Sequence, residues 1–190
     1  MGLRVIAGAA RGRRLVAPQG LATRPTSGLV RGALFNMLMH RGWLEDASLL
    51  DLFAGSGSLG IEALSRGAAH VVFVDEAAAA QRALRRNLES SGLADRAEML
   101  GVSVPAALRR LAARGVVVDG VLVDPPYAKG WVSRTLALLA ESPVLGPAGW
   151  VALEHTVSEA LPDVPGFTVV AQRRHGRAHI VLLERKEPSS

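Results

Sequence analysis

The segment Asp124-Pro125-Pro126-Tyr127 combines residue types that can hold and orient an amino group. It directly follows an apolar run at residues 121–123, so we expect it where a buried strand ends. The two prolines stiffen the backbone and remove two N–H donors, which leaves carbonyl oxygens as acceptors. Asp124 and the Pro125 carbonyl can each accept one N–H of a planar amino group, while the Tyr127 ring stacks on an extruded base. These four residues form the predicted catalytic group.

A glycine-rich segment, residues 51–60, follows an earlier apolar run and precedes a helix-like pattern. Glycines there let the backbone turn tightly and approach a ligand. Asp51 is expected near a methionine ammonium, and Asp75 ends the next strand, where a carboxylate can accept hydrogen bonds from ribose hydroxyls. The spacing suits a dinucleotide as well as S-adenosylmethionine, and it also occurs in turns that serve packing alone. The predicted cofactor residues from this pattern are Asp51, Phe53, Ala54, Gly55, Ser56, Gly57, Gly60 and Asp75.

Apolar runs that alternate with helix-like stretches provide the scaffold for both segments. Strands are predicted at residues 49–53, 71–74, 98–101, 119–123 and 150–154, and helices at 59–66, 77–91, 105–114 and 132–141. This alternation is typical of an α/β fold with a mostly parallel sheet. Two last strands, 168–174 and 179–184, flank a His175-Gly176 turn and predict a C-terminal antiparallel hairpin. The expected sheet therefore has seven strands.

The first 44 residues form a basic extension before this scaffold. They contain seven arginines and neither Asp nor Glu, in a chain whose net charge is +5. Strands at 3–7 and 14–17 predict a β-hairpin, and Thr26 or Ser27 is expected to cap a helix that ends near Gly42. A segment whose charged residues are all arginines can bind RNA phosphates electrostatically. The predicted RNA contacts are Arg4, Arg11, Arg13, Arg14, Arg24 and Arg31.

The expected organisation is an RNA-binding extension at 1–44, a catalytic domain at 45–186 and a tail at 187–190. The lack of cysteine excludes disulfides, thiolate metal sites and a cysteine nucleophile, and with the last of these pyrimidine C5 methylation. Histidine spacing favours no metal site, so no metal is expected. No apolar run approaches the roughly 20 residues of a membrane span, and no secretory signal is recognisable. We expect a cytoplasmic protein, and a monomer because no long apolar helix face requires a partner.

Two resemblances narrow the function. The tetrapeptide 124–127 resembles the motif of amino-methyltransferases that act on adenine N6, cytosine N4 or guanine N2. Nearly the whole chain resembles the RsmD-type small-subunit ribosomal RNA guanine-N2 methyltransferases. The segments that carry this second resemblance, besides the tetrapeptide, are Arg4–Gly8, Arg11-Gly12, Arg24–Thr26, Val30-Arg31, Leu34–Asn36, Asp51–Gly57, Leu59-Gly60 and Glu62–Ala68.

The family resemblance implies a Rossmann-like fold that binds S-adenosylmethionine, with S-adenosylhomocysteine as the product. It implies that the enzyme methylates N2 of one guanine in bacterial 16S rRNA, presented by small ribosomal subunit particles. It also implies that Ser103 approaches the adenine of the cofactor, although the family usually carries Asn or Asp there.

Three alternatives stay open. An adenine-N6 methyltransferase acting on DNA or RNA is the nearest, because the tetrapeptide alone does not separate the two amino groups. An NAD(P)-binding oxidoreductase would share the glycine loop and Asp75, but it would leave the segment 124–127 and the basic extension unexplained. A non-catalytic RNA-binding module would use the extension, yet would not need a cofactor pocket.

Overall fold

The computed structural model describes residues 2–19, 27–126, 130–157, 163 and 165–186. Its helices are α1 (Gly28–His40), α2 (Ser58–Ser65), α3 (Ala78–Ser91), α4 (Val104–Ala113) and α5 (Trp131–Glu141). Its strands are β1 (Ser48–Leu52), β2 (His70–Val74), β3 (Ala97–Leu100), β4 (Val118–Val123), β5 (Leu145–Thr156), β6 (Phe167–His175) and β7 (Ala178–Arg185). The alternation predicted from the apolar runs is confirmed.

The seven strands form one sheet in the order β3-β2-β1-β4-β5-β7-β6. The first five are parallel, and β7 runs antiparallel to both β5 and β6. The predicted α/β class and C-terminal hairpin are therefore confirmed. β5 begins five residues before the predicted start at 150, because Leu145 already pairs with Val118 and the register shifts before Trp150 pairs with Gly120.

Apolar side chains cover both faces of the sheet. Along β1, Leu49 lies in one hydrophobic cluster and Leu50 and Leu52 lie in the other, as the alternation of a strand requires. Residues of α1, α2 and α3 belong to the first cluster, and residues of α4 and α5 belong to the second. Burial on both faces explains why the parallel strands read as continuous apolar runs.

The N-terminal extension packs onto the first face. Val5, Ala10 and Leu15 belong to the same cluster as the α1 side chains, so extension and sheet share a core. The predicted strands 3–7 and 14–17 shrink to one bridge, Arg4 to Arg14, because Ile6 and Ala7 donate their N–H groups to Glu62 instead of to an opposing strand. The predicted boundary at residue 44 stays a prediction.

Helix α1 begins where the sequence indicated. The Ser27 hydroxyl accepts a hydrogen bond from the Val30 N–H at 3.2 Å, which confirms Ser27 as the cap; Thr26 lies outside the described residues. Gly42 follows the helix with a φ of 69°. None of the helices that the structure describes has both the length and the apolar character needed to cross a bilayer.

Candidate active site

Four neighbouring strands end at one edge of the sheet. Leu52, the last residue of β1, pairs with Val74 at the end of β2 and with Val123 at the end of β4. Val74 in turn pairs with Leu100 at the end of β3. Because all four strands are parallel, the segments that follow them emerge side by side. The structure thus brings together the glycine loop, Asp75, Ser103 and Asp124.

The loop after β1 turns sharply at a residue other than glycine. Phe53 has a φ of 60°, in the left-handed region, which costs roughly 1–2 kcal/mol for a side chain of this kind. The next residue, Ala54, donates its N–H to the Val74 carbonyl at 3.0 Å and accepts from the Gly57 N–H at 2.7 Å. These bonds hold the loop against the end of β2.

The three glycines of the loop have different surroundings. A Cβ at Gly55 would meet only the Phe53 carbonyl, at 3.8 Å, so the backbone there is open to a ligand. A Cβ at Gly57 would lie 2.3 Å from the Leu84 side chain, and one at Gly60 would lie 2.2 Å from the Phe73 ring. Gly57 and Gly60 therefore let the loop and α2 pack closely onto their neighbours, whereas Gly55 leaves access.

Asp75 anchors the same loop from β2. Its Oδ2 accepts from the Gly55 N–H and its Oδ1 from the Ala77 N–H, each at 2.9 Å. The side chain is half-buried. Because an ionised carboxylate offers about four acceptor positions, each oxygen retains capacity for a further donor such as a ribose hydroxyl.

Asp51 lies beneath the loop and is 1% exposed. Its Oδ2 accepts a hydrogen bond from the Gly60 N–H at 2.9 Å. The pKa of Asp51 is raised to about 8, mainly by burial; the hydrogen bond from Gly60 opposes this rise, and the charges of Asp124 and Asp75 add to it. The three carboxyl groups therefore interact electrostatically at the strand ends. A cation brought close to this edge would favour the ionised form of Asp51.

The predicted catalytic turn follows β4. Asp124 is half-buried, Pro125 is buried and Pro126 is exposed; Tyr127 lies outside the described residues. Ser103 is the N-cap residue that precedes α4, and its hydroxyl makes no capping bond to that helix. Among the described residues, no group of three or more His, Cys, Asp or Glu side chains is placed to hold a metal ion.

Sequence reasoning assigned no role to Trp131, which starts α5. The Phe53 and Trp131 rings meet edge to face, with centroids 5.4 Å apart and planes inclined by 65°. This contact joins the glycine loop to the start of α5. The sequence feature that could have indicated a role for this residue is its position, five residues after Pro126.

The structure separates the predicted RNA-binding arginines into two groups. Arg4, Arg11, Arg13 and Arg14 are exposed, as phosphate contacts require. Arg31 is wrongly predicted, because it is 1% exposed and its guanidinium donates to the Arg4 carbonyl and lies 3.7 Å from the Glu62 carboxylate. Its charge serves the packing of the extension. Arg24 lies outside the described residues.

Two buried polar side chains that the sequence did not single out hold the extension in place. Glu62 accepts from the Ile6 and Ala7 N–H groups at 2.7 and 3.1 Å. Asn87 bonds both the N–H and the carbonyl of Val16, at 2.8 and 2.9 Å. The Asn87 amide also donates to the Ser56 carbonyl at 2.8 Å, so one side chain links the extension to the glycine loop.

Comparison with known proteins places the chain in a family. Residues 3–184 match the family model described as "Conserved hypothetical protein 95". The chain is 37% identical over 163 residues to ribosomal RNA small subunit methyltransferase D of Escherichia coli K12, covering 86% of this chain and 79% of that protein. It is 32% identical over 175 residues to the protein of the same name from Haemophilus influenzae, covering 92% and 89%.

A solved structure agrees with these sequence matches. The E. coli protein yhhF superposes with a TM-score of 0.84 at 35% identity, and the superposition covers 97% of this chain and 98% of that one. The similarity thus includes the extension, the sheet and the C-terminal hairpin. The chain belongs to the RsmD family, the family of ribosomal RNA small subunit methyltransferase D.

Proposed function

We propose that this protein transfers a methyl group from S-adenosylmethionine to the N2 amino group of a guanine in small-subunit ribosomal RNA. One observation carries the proposal: Leu52 pairs with Val123, so the glycine loop and the Asp124 turn are adjacent at one sheet edge. A methyl donor on the first and an amino group on the second would face each other. Family membership supports RNA methylation over the oxidoreductase and the non-catalytic module.

The residues at this edge fit S-adenosylmethionine, which supplies an electrophilic methyl group on sulfur. Gly55 leaves its side of the backbone open to the ligand. Asp75 retains acceptor capacity for ribose hydroxyls. The half-buried Ser103 hydroxyl makes no capping hydrogen bond to α4. Asp51 gives the ammonium of the methionine part an opposite charge once it ionises.

The catalytic turn orients the nucleophile. Asp124 and the Pro125 carbonyl accept the two N–H groups of the guanine amine, which directs the nitrogen lone pair toward the methyl carbon. Such alignment contributes up to roughly 7–11 kcal/mol in favourable intramolecular models. As the N–C bond forms, the S–C bond breaks and S-adenosylhomocysteine is the product. The amine then releases one proton to Asp124 or to water.

The exposed arginines of the extension hold the RNA. Arg4, Arg11, Arg13 and Arg14 form a cationic surface on the chain segment that packs against α2. Phosphate contacts of this type position an RNA without reading its sequence. The relatives' names refer to small-subunit RNA, and we propose that the substrate is presented within small ribosomal subunit particles.

The test incubates the protein with S-adenosylmethionine labelled in its methyl group and with small-subunit particles that lack this modification. Mass spectrometry of the digested RNA should show label in N2-methylguanosine. Asp124→Ala should slow transfer by at least about a hundredfold while binding S-adenosylhomocysteine nearly as well as the wild type. Asp119→Ala is the control, since Asp119 lies at the other end of β4, where its carboxylate accepts a hydrogen bond from the Ser48 N–H. Label in N6-methyladenosine would favour the adenine alternative instead.

A further inference from the structure

An aromatic and cationic cluster lies beside the proposed reaction site and has no role in the mechanism above. Trp131 and Phe53, both half-buried, meet edge to face with centroids 5.4 Å apart. One turn further along α5, the Arg134 guanidinium lies 5.0 Å from the centre of the Trp131 ring. The three side chains join the loop after β1 to the first turn of α5.

Arg134 keeps its charge available to an anion. Its side chain is exposed, and none of the ion pairs found among the described residues involves it. A guanidinium stacked on an indole ring gives one surface that can take up both a base and a phosphate. The chemistry of the cluster therefore suits a nucleotide.

The strand register fixes where this surface lies. Phe53 follows Leu52, whose partner Val123 immediately precedes Asp124. Trp131 lies five residues after Pro126 in sequence, at the start of the helix that leaves the same sheet edge. A base extruded toward Asp124 has RNA neighbours on either side, and the cluster is placed to meet one of them.

We propose that Trp131 and Arg134 bind the nucleotide next to the methylated guanine: the indole stacks on its base and the guanidinium contacts its phosphate. This inference rests on the proposed function. The edge contact from Phe53 fixes the indole, so a neighbouring nucleotide and the cofactor loop are positioned against each other. The occupant is a single-stranded nucleotide of the substrate RNA, because a paired base would not offer an open face for stacking.

The chain contains a matched control for this arrangement. Trp43 also has a stacked aromatic partner, Trp150 at 5.1 Å, and an arginine, Arg41, at 5.0 Å from its ring. Trp150 pairs with Gly120, near the amino end of β4, so this second cluster lies at the opposite sheet edge. It contains the same residue types far from the proposed reaction site, although Arg41 also pairs with Glu184.

The experiment measures steady-state methyl transfer by the full-length protein to small-subunit particles. Trp131→Leu should raise the KM for the particle about tenfold, with kcat and the Kd of S-adenosylhomocysteine changed less than twofold. Trp131→Phe should recover most of the loss, because a ring is retained. Trp43→Leu should leave the KM within twofold of the wild-type value.

Arg134→Gln keeps the inference testable if Trp131→Leu fails to fold, because Arg134 is exposed. It should raise the KM about threefold and lower the slope of log KM against log salt by about 0.7–0.9. An unchanged KM in both variants of an active enzyme overturns the inference alone. A rise in the Kd of S-adenosylhomocysteine as large as the rise in the KM for the particle also overturns it. A wild-type protein that transfers no methyl group to the particle overturns the proposed function, and the inference with it.

Discussion

Asp51 and Gly60 are joined across the glycine loop by a hydrogen bond of 2.9 Å from the Gly60 N–H to the Asp51 carboxylate. The bond connects β1 to the first turn of α2 and thereby fixes the loop between them. The carboxyl group is 1% exposed, and burial raises its pKa to about 8. At neutral pH the native protein therefore holds Asp51 mostly protonated.

This protonation makes stability depend on pH. In the unfolded chain the carboxyl ionises near its ordinary pKa of 3.8, whereas the native group ionises near 8. Between these values the native state holds a proton that the unfolded state has released, so the free energy of unfolding falls as pH rises from about 4 to about 8. The slope from this group is at most about 1.4 kcal/mol per pH unit. Denaturant unfolding of Asp51→Asn should lack this component; parallel curves for the two proteins would contradict the assignment.

The same carboxyl group should release a proton when the cofactor binds. An ammonium group brought close to Asp51 favours its ionised form and lowers its pKa. Calorimetry of S-adenosylhomocysteine binding at pH 7 in two buffers of different ionisation enthalpy should show release of a substantial fraction of one proton. Asp51→Asn should show almost none. Equal proton release by both proteins would mean that another group responds to the ligand.

Alanine substitutions at Gly55 and Gly60 should affect different properties: cofactor affinity at Gly55 and stability at Gly60. Gly60→Ala places a methyl group into the Phe73 ring and should cost about 2 kcal/mol of stability or more, as overpacking does. In Gly55→Ala the new methyl group meets only the Phe53 carbonyl, at 3.8 Å, so the cost is the strain of a φ of 55°, roughly 1–2 kcal/mol. Its methyl group occupies the face left for the ligand, so the Kd of S-adenosylhomocysteine should rise at least about tenfold. Wild-type affinity in Gly55→Ala would remove this loop from the cofactor site.

The buried carboxylate of Glu62 should be essential for docking the extension. It pairs with Arg66 at 2.7 Å and with the buried Arg31, besides accepting two backbone N–H groups. Because Glu62→Gln leaves a buried guanidinium without its counter-charge, the free energy of unfolding in urea should fall by about 3 kcal/mol or more. Glu184→Gln is the control, because its pair with Arg41 is solvent-accessible and worth at most about 1 kcal/mol. Similar losses in the two variants would argue against a special role for burial.

Much of the fold and of the site follows from local sequence patterns. Buried parallel strands read as apolar runs, and each strand end carries its functional residue directly after it, as Asp75 and Asp124 do. These features need no knowledge of distant contacts. The adjacency of the two motifs then follows from the strand order, which the βα alternation favours.

The residues that sequence reasoning missed or misassigned depend on contacts between distant segments. Glu62 meets Ile6 across 56 positions, and Asn87 meets Val16 across 71. Arg31 has the same residue type and neighbourhood as the exposed arginines, yet the pairing with Glu62 places it in the core. No local period marks such partners, because their burial is set by how the extension folds back onto α2 and α3.

The exposed arginines of the extension should set the salt dependence of RNA binding. Each phosphate contact contributes roughly 0.7–0.9 to the slope of log affinity against log salt. The double variant Arg11→Gln/Arg13→Gln should therefore flatten the slope by about 1.4–1.8, measured by binding of labelled small-subunit RNA at several salt concentrations. Arg109→Gln/Arg110→Gln is the matched control, because these two exposed arginines lie on α4, against the opposite face of the sheet. Equal flattening in both double variants would mean that net charge, and not the extension, governs binding.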